Sequence, residues 1–154
     1  MPNTYSQHST HCVFAVKGRQ SFLLKSFREN LFRYMSTVLK NDGVFPLAVN
    51  GWVDHVHVFF ELPMTRTTSD IMKHLKTVSS KWINEQGFLK EHFAWQSGYG
   101  SFAYDRSLRD VVIRYIINQE DHHSRKSFKD EYIELLDEQS IAYDDRYLFE
   151  FYSD

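Results

Sequence analysis

Cysteine is almost missing from this 154-residue chain: Cys12 stands alone, so no intramolecular disulfide can staple the fold. Glycine and proline are also sparse, six and three residues, and nowhere do they gather into a low-complexity linker. There is no internal repeat. No apolar run approaches the roughly 20 residues of a membrane span. Met1 to Thr10 has no apolar core, so no signal peptide is expected and the chain reads as soluble and cytoplasmic. An excess of one charge is lacking too: 18 Lys and Arg against 20 Asp and Glu give a net charge of −2, which at first sight argues against a nucleic-acid partner.

What is present fits one domain over 1–154, since 42% hydrophobic and 16% aromatic residues suffice for a substantial core. The small net charge also hides a segregation. Asp130 to Asp154 holds nine acidic residues and one basic residue, Arg146, for a charge of −8, whereas Met1 to Lys129 carries +6. A basic body with an acidic tail meets the electrostatic requirement for binding phosphate backbones, although solvated surface charge explains the same count.

Asp54-His55-Val56-His57-Val58-Phe59-Phe60 is the stretch with the most chemistry in it. On a β-strand, alternate side chains share a face, so His55 and His57 point one way and Val56, Val58, Phe60 and Leu62 the other. Two imidazoles so placed can converge on one cation, at about 2.0 to 2.1 Å for zinc, and leave most of its coordination sphere open, as a catalytic ion requires. Two strand histidines facing the surface with no ligand account for the motif equally well. A second group elsewhere must decide.

The elements follow from periodicity. His8 to Lys17 reads as a strand, and Phe22 to Lys40 as an amphipathic helix stopped by Asn41-Asp42-Gly43. Val44 to Val49 reads as a second strand, placed near an edge or bulge by Pro46. Asn50-Gly51 is a strong hairpin turn into a third strand, Trp52 to Leu62. Ser69 is a candidate N-cap for a second helix that ends near Gly87. Phe93 to Gln96 reads as a short fourth strand, Gly98-Tyr99-Gly100 as an interruption, and Ser107 as the cap of a third helix at about 107–121. Ser127 starts a fourth helix, in an acidic aromatic segment at about 127–154 whose tail is expected to pack on the body. The order βαββαβ predicts an α+β, ferredoxin-like (RRM-like) antiparallel sheet with extra C-terminal helices. Such a sheet serves enzymes and RNA-binding modules alike.

At about 100° per residue, Ile113, Ile116 and Ile117 make the core stripe of the third helix, and Tyr115 and Gln119 lie together beside it with Leu108 and Val112. Tyr115 and Gln119 can therefore act as one constellation, or simply pack and solvate.

His55-Val56-His57 followed by Tyr115-Ile116-Ile117-Asn118-Gln119, with His122-His123 after it, resembles the single-tyrosine HUH transposases of small bacterial insertion sequences (IS200-like). The likeness extends to Lys17-Gly18-Arg19, Asn50-Gly51, Gln96-Ser97-Gly98-Tyr99-Gly100, Phe128 and Tyr147-Leu148-Phe149, nearly the whole chain. Many relaxases and replication initiators carry two tyrosines a turn apart; Gln at position 119 favours the single-tyrosine class. The resemblance implies a metal-dependent transposase that cleaves and rejoins single-stranded DNA at hairpin-marked ends. Tyr115 would be the nucleophile, and His55, His57 and Gln119 would hold Mg²⁺ or Mn²⁺. It further implies an obligate homodimer with active sites shared between chains, for which Gly98 and Gly100 would be the hinge. Lys17, Arg19, Lys73, Lys76, Arg106 and Arg109 are candidate DNA contacts. His122 and His123 are expected at the surface, and His8, His11, His74 and His92 without a role. Two alternatives stand beside this: a non-catalytic single-stranded nucleic-acid binding module on the same sheet, and a metal-dependent hydrolase or oxygenase using His55 and His57.

Overall fold

The structure, a computed structural model, describes residues 5–152. Four antiparallel strands, β1 (Ser9–Ala15), β2 (Phe45–Gly51), β3 (His55–Glu61) and β4 (Gly100–Tyr104), lie in the order β2-β3-β1-β4. Helices α1 (Lys25–Asn41) and α2 (Thr68–Gln86) supply the two crossovers, which makes the ferredoxin-like arrangement. Three more helices follow: α3 (Arg109–Ile117), α4 (Gln119–His123) and α5 (Phe128–Glu138). No described helix is long and apolar enough to cross a membrane.

Strand pairing sorts the side chains. Cys12 faces Val58 and Phe14 faces Val56, on the side where Lys76 of α2 lies over the Phe14 ring. Val13 pairs with His57, Ala15 with His55 and His11 with Phe59, on the side where Phe59 packs against Val112 and Ile116 of α3. Both faces of the sheet are therefore covered, and β1, which is central, is buried along its whole length, the polar Ser9, Thr10 and His11 included.

Several sequence expectations shift. The fourth strand is Gly100–Tyr104 and not Phe93–Gln96: the latter residues make one bridge, Trp95 to Val16, at the far end of β1, while Gly100 to Tyr104 pair along Val13 to Ser9. Gly100 does not interrupt the strand but begins it, because the Tyr132 hydroxyl occupies the space a Cβ would need. Asn50 and Gly51 belong to β2, and the hairpin turns at residues 52–54. Gly51 is required because the His55 carbonyl approaches it too closely for any side chain. Pro46 does sit at a bulge on an edge strand. Thr67, not Ser69, caps α2 by accepting from the Asp70 amide at 3.1 Å. Asp105 rather than Ser107 caps the short 3-10 turn that leads into α3. The tail packs in part: Phe149 and Phe151 lie on Phe128 and Tyr132, whereas Tyr147 is 81% exposed.

Candidate active site

The expected single helix at 107–121 is broken at Asn118, where α3 ends and α4 begins. Asn50 of β2 answers the break, donating through Nδ2 to the carbonyls of Ile116 (3.0 Å) and Ile117 (2.9 Å), which α3 leaves unpaired. The buried stripe of α3 is Val112 and Ile116, with Tyr115 half-buried beside it, while Ile117, expected in the core, is exposed.

His55 and His57 are fully buried under α3, α4 and α5. A second partner fixes each ring: His55 Nδ1 lies 2.8 Å from Asp54 Oδ1, and its ring stacks on Phe128 at 3.9 Å; His57 Nδ1 lies 2.8 Å from His11 Nε2. Both Nε2 atoms are thereby turned inward, the arrangement that outer partners impose on ligating imidazoles. His11, which no pattern singled out, is thus a buried supporting group.

The centre of the constellation is Glu131 of α5. Its Oε1 lies 3.1 Å from His55 Nε2, 3.3 Å from His57 Nε2 and 3.2 Å from His123 Nε2. Its Oε2 accepts a hydrogen bond from the Tyr115 hydroxyl and another, at 3.3 Å, from Gln119 Nε2. Gln119 Oε1 faces His123 Nε2 at 2.9 Å and His55 Nε2 at 3.2 Å. The Tyr115 ring stands edge-on to His57, centroids 5.8 Å apart. Tyr115, His55, His57 and Gln119, inferred from two distant motifs, are brought together within one chain. His123 is a correction: it is buried inside the cluster, not at the surface. His122 comes within 3.2 Å of Glu131 Oε2 without a hydrogen-bonding angle.

Sequence reasoning missed Glu131 because it is one of nine acidic residues between Asp130 and Asp154 that entered only as a net charge. A signal existed: with Phe128, Tyr132, Leu135 and Leu136 it falls on the buried side of α5, and a carboxylate on an apolar helical stripe is seldom there without a partner.

The basic candidates do not gather at this site. Lys73 and Lys76 are on α2, across the sheet, where Lys76 Nζ donates to the carbonyls of Gln96 (2.7 Å) and Gly98 (2.9 Å). Arg109 pairs with Glu61 at 2.6 Å, next to an exposed Arg106. Lys17 is exposed, and Arg19 donates to the Tyr152 carbonyl at 2.8 Å and lines a cleft with Trp52, His123 and Lys126. Gly98 and Gly100 do not adjoin the Tyr115 helix, because β4 lies between; Gly98 has a φ of 85°, which a turn there requires, and Gly100 is locked in the sheet.

Burial sets the electrostatics. It would lower the His55 pKa, but the hydrogen bonds to Asp54 and Glu131 outweigh it and raise the imidazole to about 9. For His57 burial prevails and the ring is held below its usual range; His11, buried beside it, falls further. Burial opposes the charge on Glu131 too, yet His57, His122, His123 and His55 hold its carboxyl far below the ordinary range. Burial and Glu131 both raise the Tyr115 phenol, which stays protonated. His55 is therefore an imidazolium at neutral pH in the metal-free protein, and its contribution is complete below about 6.5 and lost as pH rises through about 9. Metal-free protein is expected to lose on the order of 3 kcal/mol of stability between those limits. Urea unfolding in chelator at several pH values measures it; a flat or rising profile, or an unchanged slope in Asp54→Asn, counts against the imidazolium.

The comparisons bear on this geometry. A family model described as "Transposase IS200 like" matches residues 4–119. A solved structure from Deinococcus radiodurans R1, described as a candidate transposase, is 20% identical, with a TM-score of 0.62 over 77% of this chain and 95% of that one. A REP-associated tyrosine transposase bound to a REP hairpin is 17% identical, with a TM-score of 0.57 over 80% of this chain and 73% of that one. No curated protein matches the sequence. His123 and Glu131 lie beyond the matched segment, which ends at Gln119.

Proposed function

Because the chain belongs to the IS200-like transposase family, we propose that it cleaves and rejoins single-stranded DNA next to a hairpin through a covalent 5′-phosphotyrosine on Tyr115. The observation that carries this is the Tyr115 hydroxyl donating to a buried carboxylate that three imidazoles surround.

The residues fit a divalent cation. His55, His57, His123 and Glu131 each present a ligand atom, all within 4.8 Å of one another, and the Gln119 amide oxygen lies alongside. A set this rich in nitrogen suits Mn²⁺ or a neighbouring transition ion better than Mg²⁺, which prefers oxygen ligands. Bound there, the ion would polarise the scissile phosphate and stabilise the departing 3′ oxygen.

The two oxygens of Glu131 divide the work. Oε1 faces the imidazoles, and Oε2, which accepts from the Tyr115 hydroxyl, orients Oη for attack; a carboxyl held far below its ordinary range does not keep a proton, so Glu131 positions the phenol and relays its proton as Oη bonds to phosphorus. The bond from phosphorus to the 3′ oxygen breaks, and the proton passes on to give a free 3′-OH; neither water nor a nucleotide cofactor is consumed. A phenol, with a pKa of about 10, leaves more readily than a sugar alkoxide, so an incoming 3′-OH can reverse the link and rejoin strands. Hairpin DNA is proposed as substrate on the analogy of the REP-hairpin complex.

The family resemblance implied an obligate homodimer with shared sites. The geometry supports a self-contained site instead, because Tyr115 already meets its own Glu131, and sharing would require α3 to give up its hold on Asn50. Incubation with labelled hairpin DNA and Mn²⁺, followed by a denaturing gel, is expected to show a DNA-protein adduct that excess EDTA prevents and added Mn²⁺ restores. Full cleavage in excess EDTA sinks the metal role.

A further inference from the structure

A cavity of about 380 Å³ opens beside Tyr115, lined by His122 but not by His55, His57 or His123, and the proposed reaction leaves it unused. Its walls are the Tyr104 and Tyr115 rings with Val111, Val112 and Leu135, surfaces suited to a flat aromatic guest. Its polar lining is led by acceptors, the carboxylates of Glu131, Glu134 and Glu138, with two groups already turned to Glu131 beside them: His122, whose Nε2 lies 3.2 Å from Glu131 Oε2, and the Tyr115 hydroxyl, which donates to the same oxygen; the Tyr104 hydroxyl completes the lining. Glu131 is occupied by Tyr115 and the imidazoles, and Glu134 pairs with Lys126. Glu138, exposed at the rim, makes no hydrogen bond or ion pair among the described residues. Three carboxylates repel a phosphate, so the DNA backbone must pass outside. A second cleft beside Tyr115, lined by Asn118, Asp121, Arg125 and Lys126, offers it two cations, which in the free protein pair with Asp121 and Glu134.

Resting on the DNA-cleaving reading of Tyr115, we infer that this cavity receives one unpaired nucleobase flanking the scissile phosphate and selects for an exocyclic amine. Adenine, cytosine and guanine each offer an amino group to a carboxylate acceptor. Thymine offers one ring N–H between two carbonyls, which would face carboxylates across the pocket. The pocket therefore rejects thymine. A base held against the Tyr115 ring also places its own phosphate near the Tyr115 hydroxyl, so the same contact that chooses the base sets the point of attack.

The test uses the full chain in chelator, where binding is read without cleavage. A DNA hairpin with a randomised single-stranded flank is bound, recovered and sequenced. At one flank position thymine is expected to be depleted at least about fivefold, since a base contact of this kind discriminates by about 1–3 kcal/mol. Glu138→Gln, which adds a donor to the rim, should bring thymine back toward parity. Val111→Trp, a change at a half-exposed wall residue, should block the cavity and erase the preference by weakening binding of the amine-bearing flanks, while affinity for the thymine-flanked hairpin, which the pocket does not hold, stays within about twofold. Thymine recovered as often as other bases at every position, or a bias that survives both variants, overturns the inference. The adduct assay separates the two proposals: an adduct without base preference removes only the pocket, base preference without an adduct removes only the phosphotyrosine chemistry, and the absence of both removes both.

Discussion

Tyr115→Phe protein is expected to form no covalent adduct with hairpin DNA in Mn²⁺ and yet to bind that DNA as the unaltered protein does. The substitution removes one oxygen and keeps the ring that stands edge-on to His57 at 5.8 Å. Glu131 loses one hydrogen bond but keeps its imidazoles, so stability should change by no more than about 1 to 2 kcal/mol. A denaturing gel reads the adduct and anisotropy in chelator reads the binding. Each rival makes a different picture: a silent binding module gives no adduct with either protein, and a hydrolase working through water cuts DNA with either. Mixing settles where the site is built. When Tyr115→Phe is combined with His57→Ala and subunit exchange is verified, shared sites would regenerate one intact pair and restore the adduct; a self-contained site leaves the mixture inactive.

Glu131→Ala should have the largest effect on both metal binding and stability. The side chain is 1% exposed and is the shared partner of His55, His57 and His123, so removing it leaves a buried imidazolium at His55 with only Asp54 to offset it. Breaking a buried ion pair from one side costs about 3 to 5 kcal/mol, and the metal-free protein should lose stability on that scale. Glu131→Gln keeps the shape and most hydrogen bonds, and so isolates the charge. Mn²⁺ affinity, measured by calorimetry or electron paramagnetic resonance, should fall in Glu131→Gln by at least about tenfold and in Gln119→Ala by less, since a carboxylate binds a hard cation more strongly than an amide. The reverse ranking would restore the set of His55, His57 and Gln119 that the family resemblance implied.

The sequence carried the sheet and half of the site. Alternation placed His55 and His57 on one face, and helical spacing put Tyr115 and Gln119 together, because both signals are local. Glu131 and His123 are harder to read: the apolar stripe of α5 marks Glu131 as buried, but which groups it and His123 meet is decided only when α4 and α5 fold back over the sheet. The misplaced fourth strand has a related cause. Phe93 to Gln96 has the better strand composition, but pairing belongs to the segment that can run the length of β1, and the glycine that begins it is there to make room for Tyr132.

Asn50 pairs across the sheet with His57, while its side chain holds the end of the helix that bears Tyr115. One residue thus acts as a gauge block between the nucleophile's helix and an imidazole, and the sheet's pairing register becomes a tolerance on the chemistry. A slip of β2 by a single residue would turn Asn50 to the opposite face and release α3, although every strand would still be paired. The turn at residues 52–54 is bound twice over, because Asp54 holds the His55 ring and the length of the turn decides which residue stands opposite His57.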